Sequence, residues 1–289
     1  MSFEHLRVPP GTTVRLKDYA TDDTGPFKDK SQAQEKLAAD VEKLADLQAK
    51  LYAQNIYGIL ILLQGIDAAG KDGTIKHVMS GINPAGCQVK SFKVPSAEEL
   101  DHDYLWRYMR ALPERGNIGI FNRSYYEEVL VVRVHPELLA VEHIHSSRKR
   151  KELWTDRYRH INHFEQYLEE NGYQVIKFFL HLSREEQKQR FLSRLDSPEK
   201  NWKFSEGDVK ERAFWDDYQN AFEEMLSNTS SKEAPWYIVP ADRKWFTRMA
   251  VADIIVSKLE SMNLAYPKLD AARTAALARG RKFLETEGA

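Results

Sequence analysis

The chain of 289 residues contains a single cysteine, Cys87. No intrachain disulfide can form, and one thiol suits a reducing compartment, so a cytoplasmic location is expected. No apolar run nears the ~18 residues that a membrane span requires. The N-terminal MSFEHLRVPPGTT lacks the apolar stretch of a secretory signal. Net charge is nearly missing too: 42 Lys and Arg face 43 Asp and Glu, a formal −1. That argues against a nucleic-acid coat, which is usually strongly basic, but leaves room for a local basic groove. Neither a nucleic acid nor a membrane is therefore expected as partner. No internal repeat or low-complexity tract is visible. What remains is ordinary for a globular chain, 42% hydrophobic and 29% charged. We expect one domain over 1–289. Residues 1–30, with Pro9, Pro10, Gly11, Gly25 and Pro26, read as an extended arm, and 266–289 as a peripheral tail.

Apolar spacing supplies the elements. Leu37, Val41, Leu44, Leu47 and Leu51 recur at intervals of three and four, which predicts a helix from Ser31, as N-cap, to about Asn55. Tyr57–Gln64 is a short continuous apolar run, the pattern of a strand buried on both faces of a parallel sheet. Strands are expected at Cys87–Phe92, Asn117–Phe121, Tyr173–Leu182 and Trp236–Val239. Helices are expected at Gly73–Ser80, Ala97–Leu112, Arg148–Glu170, Ser183–Leu195, Gly207–Leu226 and Lys244–Met262. Such alternation implies right-handed βαβ units in a doubly wound parallel sheet flanked by helices, an α/β fold.

The sharpest chemical signal is Gly65-Ile66-Asp67-Ala68-Ala69-Gly70-Lys71-Asp72-Gly73-Thr74. It holds G-x-x-x-x-G-K, a phosphate-binding loop, set between a strand pattern and a helix pattern as the motif demands. Backbone N–H groups of such a loop converge on phosphate oxygens, and the helix N-terminus adds partial positive charge. Lys71 would neutralise the transferring phosphoryl group; its side chain is expected to be exposed and unpaired in the free protein. Position 72 is Asp, where many such loops place the Ser or Thr that holds Mg²⁺. Asp67 and Thr74 are the candidate substitutes. After the strand NIGIF comes Asn122-Arg123-Ser124-Tyr125-Tyr126-Glu127-Glu128, at the carboxyl edge where ligands of doubly wound sheets sit. Asn122 is a neutral donor to a metal or its water, and Arg123 suits bidentate grip on phosphate. His77, His102, His135, His143, His145, His160, His163 and His181 show no metal-ligand spacing.

Beyond these residues, the chain resembles the polyphosphate kinase 2 family. The resemblance lies in GIDAAGKDGT (65–74), GINPAG (81–86), DYLWRYMRALPERG (103–116), FNRSYYEEVLVVRVH (121–135), KFFLHLSREEQKQR (177–190), SPEKNWKFSEGD (197–208) and APWYIVPADRKW (234–245). It spans about residues 10–265. It implies a P-loop kinase fold similar to thymidylate kinase, with a helical lid near 184–212. It further implies Mg²⁺-dependent, reversible phosphoryl transfer between inorganic polyphosphate and adenine or guanine nucleotides. Members preferring diphosphates tend to read FDRSWYNR where this chain reads FNRSYYEE, which is similar to the class III subgroup that accepts mono- and diphosphates. On that resemblance Asp67 and Asn122 help hold the metal, and Glu127, standing where those members carry Asn, is the candidate for acceptor selection.

A polyphosphate donor needs a row of cations. Arg190 and Arg194 lie four apart on one helix face; Lys200 and Lys203 follow, and Arg133 and Lys177 come from other elements. The segment 184–212 carries eight basic and seven acidic residues, so composition alone marks no patch. Arg133, in VLVVRV, wants an anionic partner. The expected site thus comprises Asp67, Lys71, Asn122, Arg123 and Arg133 for chemistry. Ala68, Ala69, Gly70, Asp72, Gly73, Thr74, Glu127, Lys177, Arg190, Arg194, Lys200 and Lys203 are expected to bind nucleotide and polyphosphate, in a homo-oligomer. An ATP-dependent nucleotide kinase of the same fold is the alternative.

Overall fold

Five parallel strands form the sheet: β1 (Gly58–Gln64), β2 (Cys87–Ser91), β3 (Ile118–Asn122), β4 (Tyr173–His181) and β5 (Trp236–Pro240). The computed structural model describes residues 3–142, 150–202 and 204–287. The strand order is β2-β3-β1-β4-β5, with Ile61 level with Ile120 on one side and Ile176 on the other. The helices are α1 (Lys30–Gln54), α2 (Lys71–Val78), α3 (Ala97–Leu100), α4 (Trp106–Met109), α5 (Val131–Val134) and α6 (Arg150–Glu170). There follow α7 (Arg184–Asp196), α8 (Pro198–Asn201), α9 (Glu206–Glu211), α10 (Trp215–Thr229), α11 (Lys244–Ser261) and α12 (Ala271–Thr286). No helix among the described residues is long and apolar enough to cross a membrane.

Side chains of a strand alternate between faces, so each central strand feeds two cores. Ile59, Ile61, Leu63, Ile118, Ile120, Ile176, Phe178 and Leu180 pack with α1, α2 and α11. Leu60, Leu62, Phe121, Val175 and Phe179 pack with α6 and α10. The unbroken apolar runs of β1 and β4 are thus the consequence of two covered faces. The chain leaves β1 toward β2 on one side and leaves β3 toward β4 on the other. This reversal opens a crevice at the carboxyl ends of β1 and β3, where the Gly65–Gly70 loop and Asn122–Glu127 emerge.

Local chemistry moves several expected boundaries. Asp29, not Ser31, caps α1, its Oδ1 accepting from the N–H groups of Ser31 and Gln32. The helix expected at Ala97–Leu112 is two single turns. Asp103 Oδ1 accepts from Leu105 N at 2.9 Å, a side-chain turn that competes with helix continuation. Gly207–Leu226 is likewise divided, tightening to a 3₁₀ turn at Arg212–Phe214, where Arg212 reaches back to the Arg184 carbonyl. The expected start of α6 at Arg148 lies outside the described residues, as do His143, His145 and Lys203. In the N-terminal segment Val8, Val14 and Leu16 are buried, and Val8 N donates to Trp236 O on β5. The tail forms α12, which buries no residue.

Lys177 is not a groove cation. It sits mid-strand on β4, facing α6 and α10, and is fully buried. Its ammonium donates to Glu165 Oε2 at 2.6 Å, Thr229 O at 2.6 Å and Tyr126 Oη at 3.0 Å. Burial pushes this ammonium below the usual lysine range, and Glu165 opposes that shift. Replacing Lys177 with Met should leave Glu165 buried with only tyrosine hydroxyls to meet it. Urea unfolding should then show a loss of about 3–5 kcal/mol. A loss below about 1 kcal/mol, within the range of exposed pairs, would show that Glu165 is easily hydrated.

Candidate active site

The phosphate-binding loop holds three unusual backbone positions. Gly65 has φ +150°, and a Cβ there would meet Leu180 O at 2.8 Å. Gly70, the residue before α2, has φ +107°. Ala68 is also left-handed, at φ +65°. The loop so formed opens α2 toward the crevice, and the first-turn N–H groups of Lys71, Asp72 and Gly73 have no helical acceptor.

From behind, α7 holds the loop by its carbonyls. Gln187 Nε2 donates to Asp67 O at 2.9 Å. One Nη of Arg190 donates to Ala68 O and Ala69 O, at 2.9 and 3.0 Å. The other donates to Ala241 O and Asp242 O, at 2.5 and 3.3 Å, and Nε donates to Glu186 at 2.8 Å. Lys71 is neither exposed nor unpaired. It is 8% exposed, and its Nζ donates to Gly65 O at 2.6 Å and Ile66 O at 3.3 Å. Burial, then the charge of Arg123, pushes its ammonium down to about 8.

Arg123 bridges the two strand ends. It is left-handed, at φ +64°, and its guanidinium pairs with Asp67 on one side and with Glu127 Oε2, at 3.1 Å, on the other. Those carboxylates, Glu127 first, hold its proton more tightly than usual. Asn122 Nδ2 donates to Asp72 Oδ1 at 2.6 Å. Ser124 caps the following 3₁₀ turn and accepts from Gln64 Nε2 at 3.0 Å, a structural role.

Two clefts meet at Arg123. The first, of about 840 Å³, is lined by the loop from Asp67 to Thr74, Asn122, Arg123, Arg190, Arg194 and Lys200. It also holds four cations that the sequence reading missed, Lys76, Lys93, Lys244 and Arg248. Lys244 and Arg248 stand four apart in the first turns of α11, a spacing visible in the sequence just after APWYIVPADRKW. Burial and the charge of Arg190 push both below their usual ranges. Arg194 also pairs with Asp208 across the α7–α9 segment, at 3.5 Å. Arg133 lies elsewhere: the anion it meets is Glu224 on α10, and it donates to Tyr158 Oη at 3.0 Å.

The second cleft, of about 690 Å³, is lined largely by apolar groups, among them Val94, Leu100, Val131, Val132 and Leu153. Phe92, Lys93 and Arg123 line both clefts, and Glu127 lines the second. Beneath it lies a buried ionic network. Glu128 sits 3.7 Å from both Arg107 and Arg157, and Arg157 also pairs with Glu142. Burial, then the charge of Glu142, pushes the Glu128 carboxyl up to about 7. A polar, cation-rich cleft joined to an apolar one suits transfer of a phosphoryl group between a polyanion and a molecule with an apolar ring system.

Comparison with known proteins gives the arrangement a family. A sequence model described as Polyphosphate kinase 2 (PPK2) matches residues 27–267. An ADP-polyphosphate phosphotransferase of Rhodopseudomonas palustris is 51% identical over 282 residues, covering 97% of this chain and 98% of that protein. An AMP/ADP-polyphosphate phosphotransferase of Meiothermus ruber is 44% identical over 271 residues, covering 93% and 97%. The crystal structure of polyphosphate kinase 2 from Arthrobacter aurescens superposes with a TM-score of 0.86 at 38% identity, covering 96% of each chain. The chain belongs to the polyphosphate kinase 2 family.

Proposed function

We propose that the protein transfers phosphoryl groups from inorganic polyphosphate to AMP and ADP, and in reverse from ATP to the polymer. The observation that carries this reading is the pair of joined clefts. Polyphosphate lies in the cation-rich cleft, along Lys71, Arg194, Lys200, Lys244 and Arg248, and the nucleoside in the apolar one. A terminal oxygen of the acceptor phosphate attacks the terminal phosphorus of the polymer. A new P–O bond forms as the bond to the next phosphate breaks, and the shortened polymer leaves with the electron pair. The attacking oxygen is already ionised, so no dedicated base is required. Lys71 and the loop N–H groups meet charge on the transferring group. Arg123, at the junction, lies where both phosphates converge.

The donor set suits Mg²⁺. Asp67 and Asp72 line the first cleft beside Asn122, and no cluster of three or more His, Cys, Asp or Glu fit for a metal occurs among the described residues. Mg²⁺ usually takes one or two carboxylates together with substrate phosphates and water. When bound, the ion would supply positive charge to the reacting phosphates, with Asp67, Asp72 and Asn122 as the residues that would hold it.

The decisive assay offers AMP, ADP, GMP or GDP with polyphosphate and Mg²⁺, without ATP. Formation of the next higher nucleotide is expected from AMP and ADP. Activity only when ATP replaces polyphosphate would favour a nucleotide kinase of the same fold.

Three variants separate the roles. In the free enzyme Lys71 loses its proton as pH rises through about 8, so kcat/KM should fall there. Bound polyphosphate favours the charged form and should move the limb in kcat to higher pH. Lys71→Arg, whose charge does not titrate in this range, should lose the limb, whatever its absolute rate. Glu127→Asn removes one of the two carboxylates that Arg123 serves, leaving more of its charge for an acceptor phosphate. Activity on AMP should fall more than activity on ADP; equal losses would point to damage at the shared junction. Finally, polyanions bind largely through counterion release. The double variant Lys244→Ala/Arg248→Ala should raise KM for long polyphosphate and flatten its log–log salt slope by roughly 0.7 per cation. The acceptor KM should change less. An unaltered salt slope would place the donor track away from α11.

A further inference from the structure

Arg190 was expected to touch polyphosphate, and it does line the first cleft. Its hydrogen-bonding capacity, however, points the other way. All three of its nitrogens donate within the protein, to four backbone carbonyls and to Glu186. The side chain is 7% exposed, and its Nη1 lies 3.6 Å from where a Cβ on Gly70 would stand. One planar group therefore joins three segments: the phosphate-binding loop at Ala68 and Ala69, the turn at Ala241 and Asp242, and α7 itself. The turn leads directly into α11, which carries Lys244 and Arg248. Gln187, three residues earlier on α7, adds a bond to the Asp67 carbonyl.

We infer that Arg190 is a positioning residue for phosphoryl transfer, holding the carbonyls of the phosphate-binding loop turned away from the cleft and fixing the loop against the α11 cations, rather than a ligand of the polymer. Peptide units are rigid planes, so holding a carbonyl back turns the N–H of the next residue the opposite way, toward phosphate. The carbonyls of Asp67 and Ala69 fix the N–H groups of Ala68 and Gly70 in this manner, while the Ala69 N–H closes the loop turn on Ile66 O at 3.1 Å. The task needs a guanidinium. A lysine has the charge and three donors at one point, but not the planar fork that reaches two separated pairs of carbonyls. The inference rests on the polyphosphate reading for the identity of the donor, not for the loop geometry.

Arg190→Lys is the discriminating variant, with Arg248→Ala as the cleft-cation control. A positioning role predicts that Arg190→Lys lowers kcat by about 30-fold or more, because the loop no longer presents its donors to the transition state. KM for polyphosphate and its salt slope should stay near wild type, since the charge is kept. Amide hydrogen exchange across residues 66–73 should quicken in the substrate-free protein. Arg248→Ala should do the reverse, flattening the salt slope with loop exchange unchanged. If Arg190 instead grips polyphosphate, Arg190→Lys should act mainly on KM, with loop exchange as in wild type, and the inference fails. Should Arg190→Lys not fold, Gln187→Leu, which deletes the bond to the Asp67 carbonyl and the one that Gln187 Oε1 accepts from Arg212, takes its place. It should quicken exchange at 67–69 and lower kcat without moving polyphosphate KM; unchanged exchange and kcat would overturn the inference. Exchange is read without substrate, so a wrong donor assignment, revealed by the donor-swap assay, leaves this test intact.

Discussion

Like charge crowded into one cleft is the constraint around which the site is built. Among the described residues, nine basic side chains and three acidic ones line it. Two kinds of support keep such a set together. Backbone carbonyls take the donors of Lys71 and most of those of Arg190, and a few carboxylates serve Arg123, Arg190 and Arg194. Lys244 and Arg248 are left pushing against Arg190, and burial together with that repulsion loosens their protons. A single phosphate cannot relieve repulsion spread from α2 to α11. A chain of phosphates can, which supports the proposal that this cleft takes the polymer.

The neighbouring cleft obeys a different rule. Its charges are matched inside the protein, Glu128 with Arg107 and Arg157, and Arg157 again with Glu142. What it offers to a ligand is mostly apolar surface. Under the proposed function, joining a charge-hungry cleft to a charge-satisfied one at Arg123 would separate the polymer from the nucleoside without a partition of secondary structure. Removing either partner of the Glu128 network leaves a buried charge uncompensated, so its ions are bound to one another more firmly than to anything that enters.

Much of this was legible in the sequence. The five strands and the loop of β1 follow from apolar runs and glycine spacing, because a strand covered on both faces has no polar positions to blur it. The pairing of Arg123 with the loop was visible only as an arginine at a strand end. Side-chain destinations were less legible. Lys177 looked like a cation for the groove, yet its parity along β4, with Val175 and Phe179 on the same face, sends it into the α6–α10 core. Arg133 wanted an anion, and the sequence does not say that Glu224, some ninety residues on, supplies it. Lys244 and Arg248 escaped because two cations four apart on a helix look like any solvated face until the turn before them is placed against the loop.

The arm at the N-terminus has a consequence for synthesis. Val8 O accepts from Ser230 Oγ, and Val8 N donates to Trp236 O, so its partners lie 222 residues and more downstream. At bacterial-like rates of about 5–20 residues per second, on the order of 10–45 s separate the appearance of the arm from that of its docking place. Through that interval Val8, Val14 and Leu16 have no core to enter, and the β5 edge they will cover does not exist. Val8 is thus made long before the groups that it bonds. A chain that stalls before Ser230 leaves Val8 N and O without these partners.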